Sequence, residues 1–177
     1  MNKVLKEFLI RFGSLNQGIH NFDFEVTDKF FECFEYSEVE KGNVAVEVEL
    51  EKQSTMLIFH FNFTGTLALN CDRCNGEYLQ EIDATERLIV KFGNEKYDST
   101  EEIMILPHGE YEINVAEWVY EFITLNIPYQ RLHPEGECDP EVVDYIEEGE
   151  FPEEDFQDEE ENIDPRWEAL QQLKNKK

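Results

Sequence analysis

Between residues 42 and 92 the chain changes polarity at almost every second residue, and that period of two constrains the fold most. In "GNVAVEVELE" (42–51), Val44, Val46, Val48 and Leu50 fall on one side, and Glu47, Glu49 and Glu51 on the other. Successive strand side chains point to opposite faces, so this is a strand with one buried and one wet face. "TMLIFHFNF" (55–63) follows with Leu57, Phe59, Phe61 and Phe63 on one face, and Gly65 is expected to bend the chain. "TLALNC" (66–71) sets Leu67, Leu69 and Cys71 on one face, and "EYLQEIDATERLIVKF" (77–92) reads as one long strand or two short ones. No helical stretch separates these strands. Parallel strands would need long crossovers, so the pattern predicts an antiparallel meander.

Around this centre the signals are more mixed. Residues 3–12 read as a strand leading into "GSLNQG", "IHNFDFEV" (19–26) alternates, and Thr27-Asp28 opens a short helix through "KFFECF". A helix is predicted over 114–125, with Asn114 as N-cap, Glu117 as its capping-box partner, and Ile113 and Trp118 as a hydrophobic staple. Val115, Trp118, Val119, Phe122 and Ile123 keep the spacing of a buried helical stripe, and Asn126 and Pro128 end it. This helix should lie on the sheet.

Charge separates the chain into parts. Residues 1–96 hold 10 basic and 17 acidic residues, 97–165 hold 1 basic (Arg131) and 23 acidic, and 166–177 hold 4 basic and 1 acidic. The net charge of −26 is therefore concentrated in the second half. Nucleic-acid binders usually carry a basic footprint, which is missing, so the charge favours a basic protein partner, with plain solubility as the bland explanation. Residues 139–164, "DPEVVDYIEEGEFPEEDFQDEEENID", contain no basic residue and are expected to be a flexible acidic segment. The terminal "DPRWEALQQLKNKK" reads as a short amphipathic helix: Asp164 caps it, Pro165 opens it, and Trp167, Leu170 and Leu173 line one side. At about ten residues such a helix needs something to pack on.

The expected organisation is thus an α+β domain over 1–138, an acidic segment over 139–164 and a C-terminal helix over 165–177. The sheet should be antiparallel and curved, with one main packing helix. No run of eighteen apolar residues suggests a transmembrane helix, and "MNKVLKEFLIRFGSL" does not resemble a signal peptide. The expected location is the cytoplasm, where cysteines are reduced or bound to metal.

"NCDRCNGEY" (70–78) carries the densest chemistry. Cys71 and Cys74 have the spacing of a metal knuckle, a redox dithiol or a disulfide, and "RLHPEGEC" (131–138) adds His133 and Cys138. Three thiolates and one imidazole make a known donor set for a closed structural zinc site. Asn75-Gly76 would accommodate a tight turn, and Pro134 and Gly136 would let the second loop wrap. A thioredoxin-like dithiol would sit at a helix N-terminus in a βαβ unit, whereas this pair lies between strands. The bland alternative is partly buried thiols with His133 on a surface loop. Cys33, within "FFECF", reads as a small core residue. No nucleophile elbow, HExxH or phosphate-binding glycine loop is present, and four protein ligands leave zinc no open position, so the chain reads as a non-enzyme.

In order, "GIHNFDFEV", "NCDRCNGEYLQEI", "LNIPYQRLHPEGEC" and "IDPRWEALQQL" resemble the YceD family, the large ribosomal RNA subunit accumulation proteins. The resemblance covers nearly the whole chain, and its combination of elements is more specific than any one of them. It implies a part in accumulation or processing of large-subunit rRNA and a gene neighbourhood with a small ribosomal protein of that subunit. It supplies no catalytic residues.

Three functions follow as expectations. The first is a non-enzymatic assembly factor holding a basic large-subunit ribosomal protein or a ribosomal precursor particle, with Arg73, Arg166, Trp167, Leu170 and Leu173 as partner contacts. The second is direct rRNA binding through Arg73, Arg166, Lys174, Lys176 and Lys177. The third is a thiol oxidoreductase using Cys71 and Cys74, which would show a lowered thiol pKa and no bound metal.

Overall fold

The structure is a computed structural model, and it describes residues 3–93 and 103–148. Its centre is a five-stranded sheet in the order β2-β3-β4-β5-β6. The strands are β2 (Gly18–Val26), β3 (Lys41–Lys52), β4 (Met56–Asn70), β5 (Glu77–Phe92) and β6 (Ile103–Leu106). The first four are antiparallel neighbours in chain order, the meander that the alternation predicts. β6 instead runs parallel to β5, which makes the sheet mixed; the short "IMIL" has too few residues to reveal its direction. A separate two-stranded pair joins β1 (Leu9–Ile10) to β7 (Ile113–Asn114).

The buried face has the composition expected from the period of two. Val44, Val46, Val48 and Leu50 of β3 pair with Gly65, Phe63, Phe61 and Phe59 of β4, and all but the glycine are buried. β5 reads as a single strand, with Tyr78, Ile82, Leu88 and Val90 buried on the same side. Each such aliphatic or aromatic side chain contributes about 1.5–3 kcal/mol on leaving water. β4 runs through Gly65 without a break in pairing. The β3 backbone crowds this position: a Cβ on Gly65 would overlap the Asn43 carbonyl oxygen and the Val44 Cα.

Helix α2 (Ala116–Leu125) covers the sheet as expected. Val115, Val119 and Ile123 are buried, and the Phe122 ring packs edge-on to Phe61 and Phe63 at 5.3 and 6.3 Å. The helix starts later than its sequence suggests. Val115 takes the N-cap position, and Asn114, drawn into β7, reaches forward instead: its Oδ1 accepts the Ala116 N–H at 2.9 Å. Asn126 closes the other end, donating from Nδ2 to Glu86 of β5 at 2.8 Å.

Three other expectations are corrected. Residues 3–12 are mostly 3-10 turns, with Leu5–Phe8 in one and only Leu9–Ile10 extended, because Phe8 turns inward to stack on Phe24 at 5.0 Å. The helix expected through 29–34 is one turn, α1 (Asp28–Phe31), after which Phe34 is drawn out to stack on Tyr120 at 4.3 Å. Part of the acidic segment is regular: Pro140–Glu148 form helix α3. Pro140 opens it with a preset φ, and Glu141 in its first turn complements the helix dipole.

The chain divides between Asp139 and Pro140, and α3 belongs to the second unit. The rest of the acidic segment and the expected C-terminal helix, with Arg166, Trp167, Leu170 and Leu173, lie outside the described residues. No helix among the described residues is long and apolar enough to cross a membrane.

Candidate metal centre

The far end of the β4–β5 hairpin and the loop after α2 meet at the four residues singled out above. Cys71 follows the last residue of β4, and Cys74 lies in the turn to β5. The turn is built by the Asn75 N–H donating to the Cys71 carbonyl (2.8 Å) and the Cys71 N–H donating to the Gly76 carbonyl (2.9 Å). Asn75 carries the positive φ, +58°, the left-handed conformation that asparagine tolerates. On the other side, Gly136 at φ +87° and a Glu137 N–H bond to the Pro134 carbonyl fold residues 133–138 into a compact loop.

This brings the donor atoms of Cys71, Cys74, His133 and Cys138 all within 4.8 Å of one another. Cys71 Sγ is 3.8 Å from Cys138 Sγ, and His133 Nδ1 is 3.3 Å from Cys74 Sγ and 3.8 Å from Cys138 Sγ. A tetrahedron with Zn–S bonds of about 2.3 Å and Zn–N bonds of about 2.0 Å has edges of roughly 3.5–3.8 Å. The donor set and its spacing therefore fit a group that could hold a metal ion. All four cysteines of the chain are free thiols, and Cys33 stands apart, half-buried with its Sγ on the Lys29 carbonyl.

The electrostatics of the cluster favour thiolates at Cys71 and Cys74. Burial pushes the Cys71 thiol up, but the backbone N–H groups of Cys74, His133 and Arg73, with the His133 side chain, outweigh it and bring its pKa to about 5. The N–H groups of Asp139 and Gly76 lower that of Cys74. Burial raises Cys138, and hydrogen bonding to Cys71 raises His133. Amide donors aimed at a sulfur stabilise its thiolate and fix the direction in which it can bind a cation.

Two contacts around the cluster were not anticipated from the sequence. Asp72 and Arg131 join the two loops directly, and the Tyr78 ring lies 5.3 Å from the His133 ring. A hint of the first was available: Arg131 is the sole cation between residues 97 and 165. Arg73, between the two cysteines, is exposed, and its N–H donates to Cys71 Sγ at 3.4 Å.

The family model for large ribosomal RNA subunit accumulation protein YceD matches residues 59–174, about two thirds of the chain. The chain belongs to the YceD family. The match begins in β4 and takes in both halves of the cysteine–histidine cluster, α2 and α3. Comparison with curated proteins and with solved structures finds no match. Membership in the YceD family connects the chain with accumulation of large-subunit ribosomal RNA.

Proposed function

We propose that this YceD-family chain is a non-enzymatic accessory factor of large-subunit biogenesis that acts in the cytoplasm, mainly by holding a basic large-subunit ribosomal protein. The observation that carries this reading is the charge: a net −26, with a single cation between residues 97 and 165. Such a surface attracts basic proteins over a Debye length and repels an RNA backbone. Cys71, Cys74, His133 and Cys138 serve as ligands of a structural zinc ion that clamps the exit loop of α2 to the β4–β5 hairpin. With four protein ligands the ion has no open position, so its part is to shape the surface.

In this reading the chain works as three parts: the domain of 1–138, the acidic segment of 139–164 and a terminal helix over 165–177. Arg73, Arg166, Trp167, Leu170 and Leu173 contribute partner contacts. The decisive experiment mixes the full chain with purified basic large-subunit proteins at low and at high salt. A complex that weakens steeply with salt is expected; no complex at low salt overturns the reading.

Direct rRNA binding is the second reading, and the exposure of Arg73 on the hairpin turn favours it. It requires RNA affinity that disappears when Arg73, Arg166, Lys174, Lys176 and Lys177 are neutralised. The lowered thiol pKa values of Cys71 and Cys74 are what the oxidoreductase reading expects, but Cys71 is 2% exposed, which closes its sulfur to a substrate disulfide, so that reading has less support.

A further inference from the structure

Among the described residues, the sheet has one long open edge, that of β2. β2 spans nine residues, and its register with β3 is continuous from Gly18↔Lys52 to Val26↔Val44. Among the described residues, no strand and no loop backbone group pairs with its other side. Edge strands are commonly blunted by proline, by a bulge, by being short or by charge; β2 has no proline, no bulge and full length, and the charges it carries, Asp23 and Glu25, are of one sign, which repels acidic strands and not basic ones. Its pattern is sided. On the wet face stand Asn21, Asp23 and Glu25, with Asp23 directly opposite Glu47 of β3. On the core side Phe22 and Phe24 are half-buried.

One hollow borders this edge, and a second lies over the wet face beside it, reaching across β3 to β4. The first lies between β2 and the N-terminal segment; Phe8 and Phe24 line it together with Glu7, Asp23 and Glu25, and with Lys3 and Lys29. Three consecutive β2 residues, 23 to 25, line it, so it runs along the strand's edge rather than over one face. The other is lined by Asn21, Asp23, Glu47 and Glu49 and contains no cation.

We propose that β2 is a docking edge that takes up an extended basic segment of a partner protein as a sixth strand of the sheet. Main-chain hydrogen bonds would supply the pairing, as in other strand-addition modes, and side chains the selectivity. An added strand places alternate side chains beside Asn21, Asp23 and Glu25, where lysine or arginine is favoured and an acidic residue is repelled. The intervening side chains lie beside Phe22 and Phe24, which suits aliphatic residues. A second copy of this chain is a poor occupant, because each copy carries a net −26. The inference rests on the reading of a basic partner and specifies how that partner would be held.

The test uses the full chain and three synthetic ten-residue peptides: alternating Lys and Val, alternating Glu and Val, and the Lys–Val peptide N-methylated at every second backbone amide. Binding is followed by fluorescence anisotropy and by amide hydrogen exchange. The Lys–Val peptide is expected to bind and to slow exchange within residues 18–26. The Glu–Val peptide is expected not to bind. N-methylation keeps charge and side chains while removing ladder donors, and should weaken binding at least tenfold; so should the exposed-site variant Asp23→Lys/Glu25→Lys. Equal binding of the methylated peptide, protection elsewhere than β2, or no binding of the Lys–Val peptide each overturns the docking edge. Self-association of the chain through β2 overturns it as well. The basic-partner reading is judged separately, by the salt-sensitive complex with ribosomal proteins: a complex that forms normally with the Asp23→Lys/Glu25→Lys variant sinks the edge and leaves that reading standing.

Discussion

Asp72 and Arg131 hold each other through backbone and side chain at once. The Asp72 N–H donates to the Arg131 carbonyl at 2.7 Å, and the Arg131 N–H donates to Asp72 Oδ2 at 2.8 Å. The Arg131 Nε lies 3.4 Å from Asp72 Oδ1, and its Nη1 lies 3.6 Å from Glu38. This staple sits beside the cysteine–histidine cluster and joins the same two loops through residues outside the donor set.

Asp72→Ala removes the carboxylate and leaves the Asp72 N–H bond in place. Both side chains are partly exposed, which limits the ion pair, so the expected loss is about 1 kcal/mol. Thermal melts should show a larger fall in Tm for metal-stripped protein than for loaded protein, because the metal would hold the loops by a second route. An equal fall in both forms would separate the staple from the metal clamp.

Metal content tests the cluster directly. Protein prepared without a histidine tag should contain one zinc per chain by elemental analysis. Cys71→Ser and Cys138→Ser should each lose it, with Tm lower by on the order of 10 °C. Cys33→Ser, whose sulfur lies outside the cluster, should keep it. Metal-free parent protein with four freely titrating thiols would remove the zinc assignment.

The pH dependence has a defined sign. In the metal-free fold the Cys71 pKa lies at about 5, below the ordinary thiol value of 9.0. Its contribution is complete above 9.0 and is lost as pH falls through about 5, where the sulfur regains its proton. Zinc uptake by stripped protein should therefore collapse on acidification through this range. Cys138 is shifted above the ordinary thiol value, so at neutral pH it holds a proton that zinc must displace, and hydrogen bonding to Cys71 shifts His133 toward its protonated form as well. Uptake in weak buffer should acidify the solution, measured with a pH indicator dye; no proton release would count against both assignments.

Gly65→Ala tests the crowding of β3 and β4. The new Cβ overlaps backbone atoms of Asn43 and Val44, which cannot rotate away as a side chain could. A loss of about 1–3 kcal/mol is expected in urea unfolding, with an unchanged m-value. Stability equal to the parent's would mean that the strands are not held this close.

The strand pattern was legible because a half-buried antiparallel strand writes its environment into every second residue. Val44 through Leu50 and Leu57 through Phe63 needed no partner to be recognised. The α2 stripe was legible for the same reason at a different period. Residues 3–12 were misread because the apolar side chains of a 3-10 turn resemble a strand edge, and what decides between them is Phe24, against which Phe8 stacks. α3 was missed although Val142, Tyr145 and Ile146 keep the i, i+3, i+4 spacing of one helical face: set in a run of acidic residues, the segment was read by its composition instead.

The sequence by itself determined the strand faces, the main helix, the charge distribution and the four donor side chains, all of which are local patterns of residue type. Only the tertiary structure decided that Cys71 and Cys74 meet His133 and Cys138 across 58 intervening residues, because loop positions are set by how α2 packs on β4 and by the Asp72–Arg131 staple. It alone decided the parallel pairing of β6 and the open edge of β2. Strand order is a choice among partners, and one strand's residues do not record which of its two edges is filled.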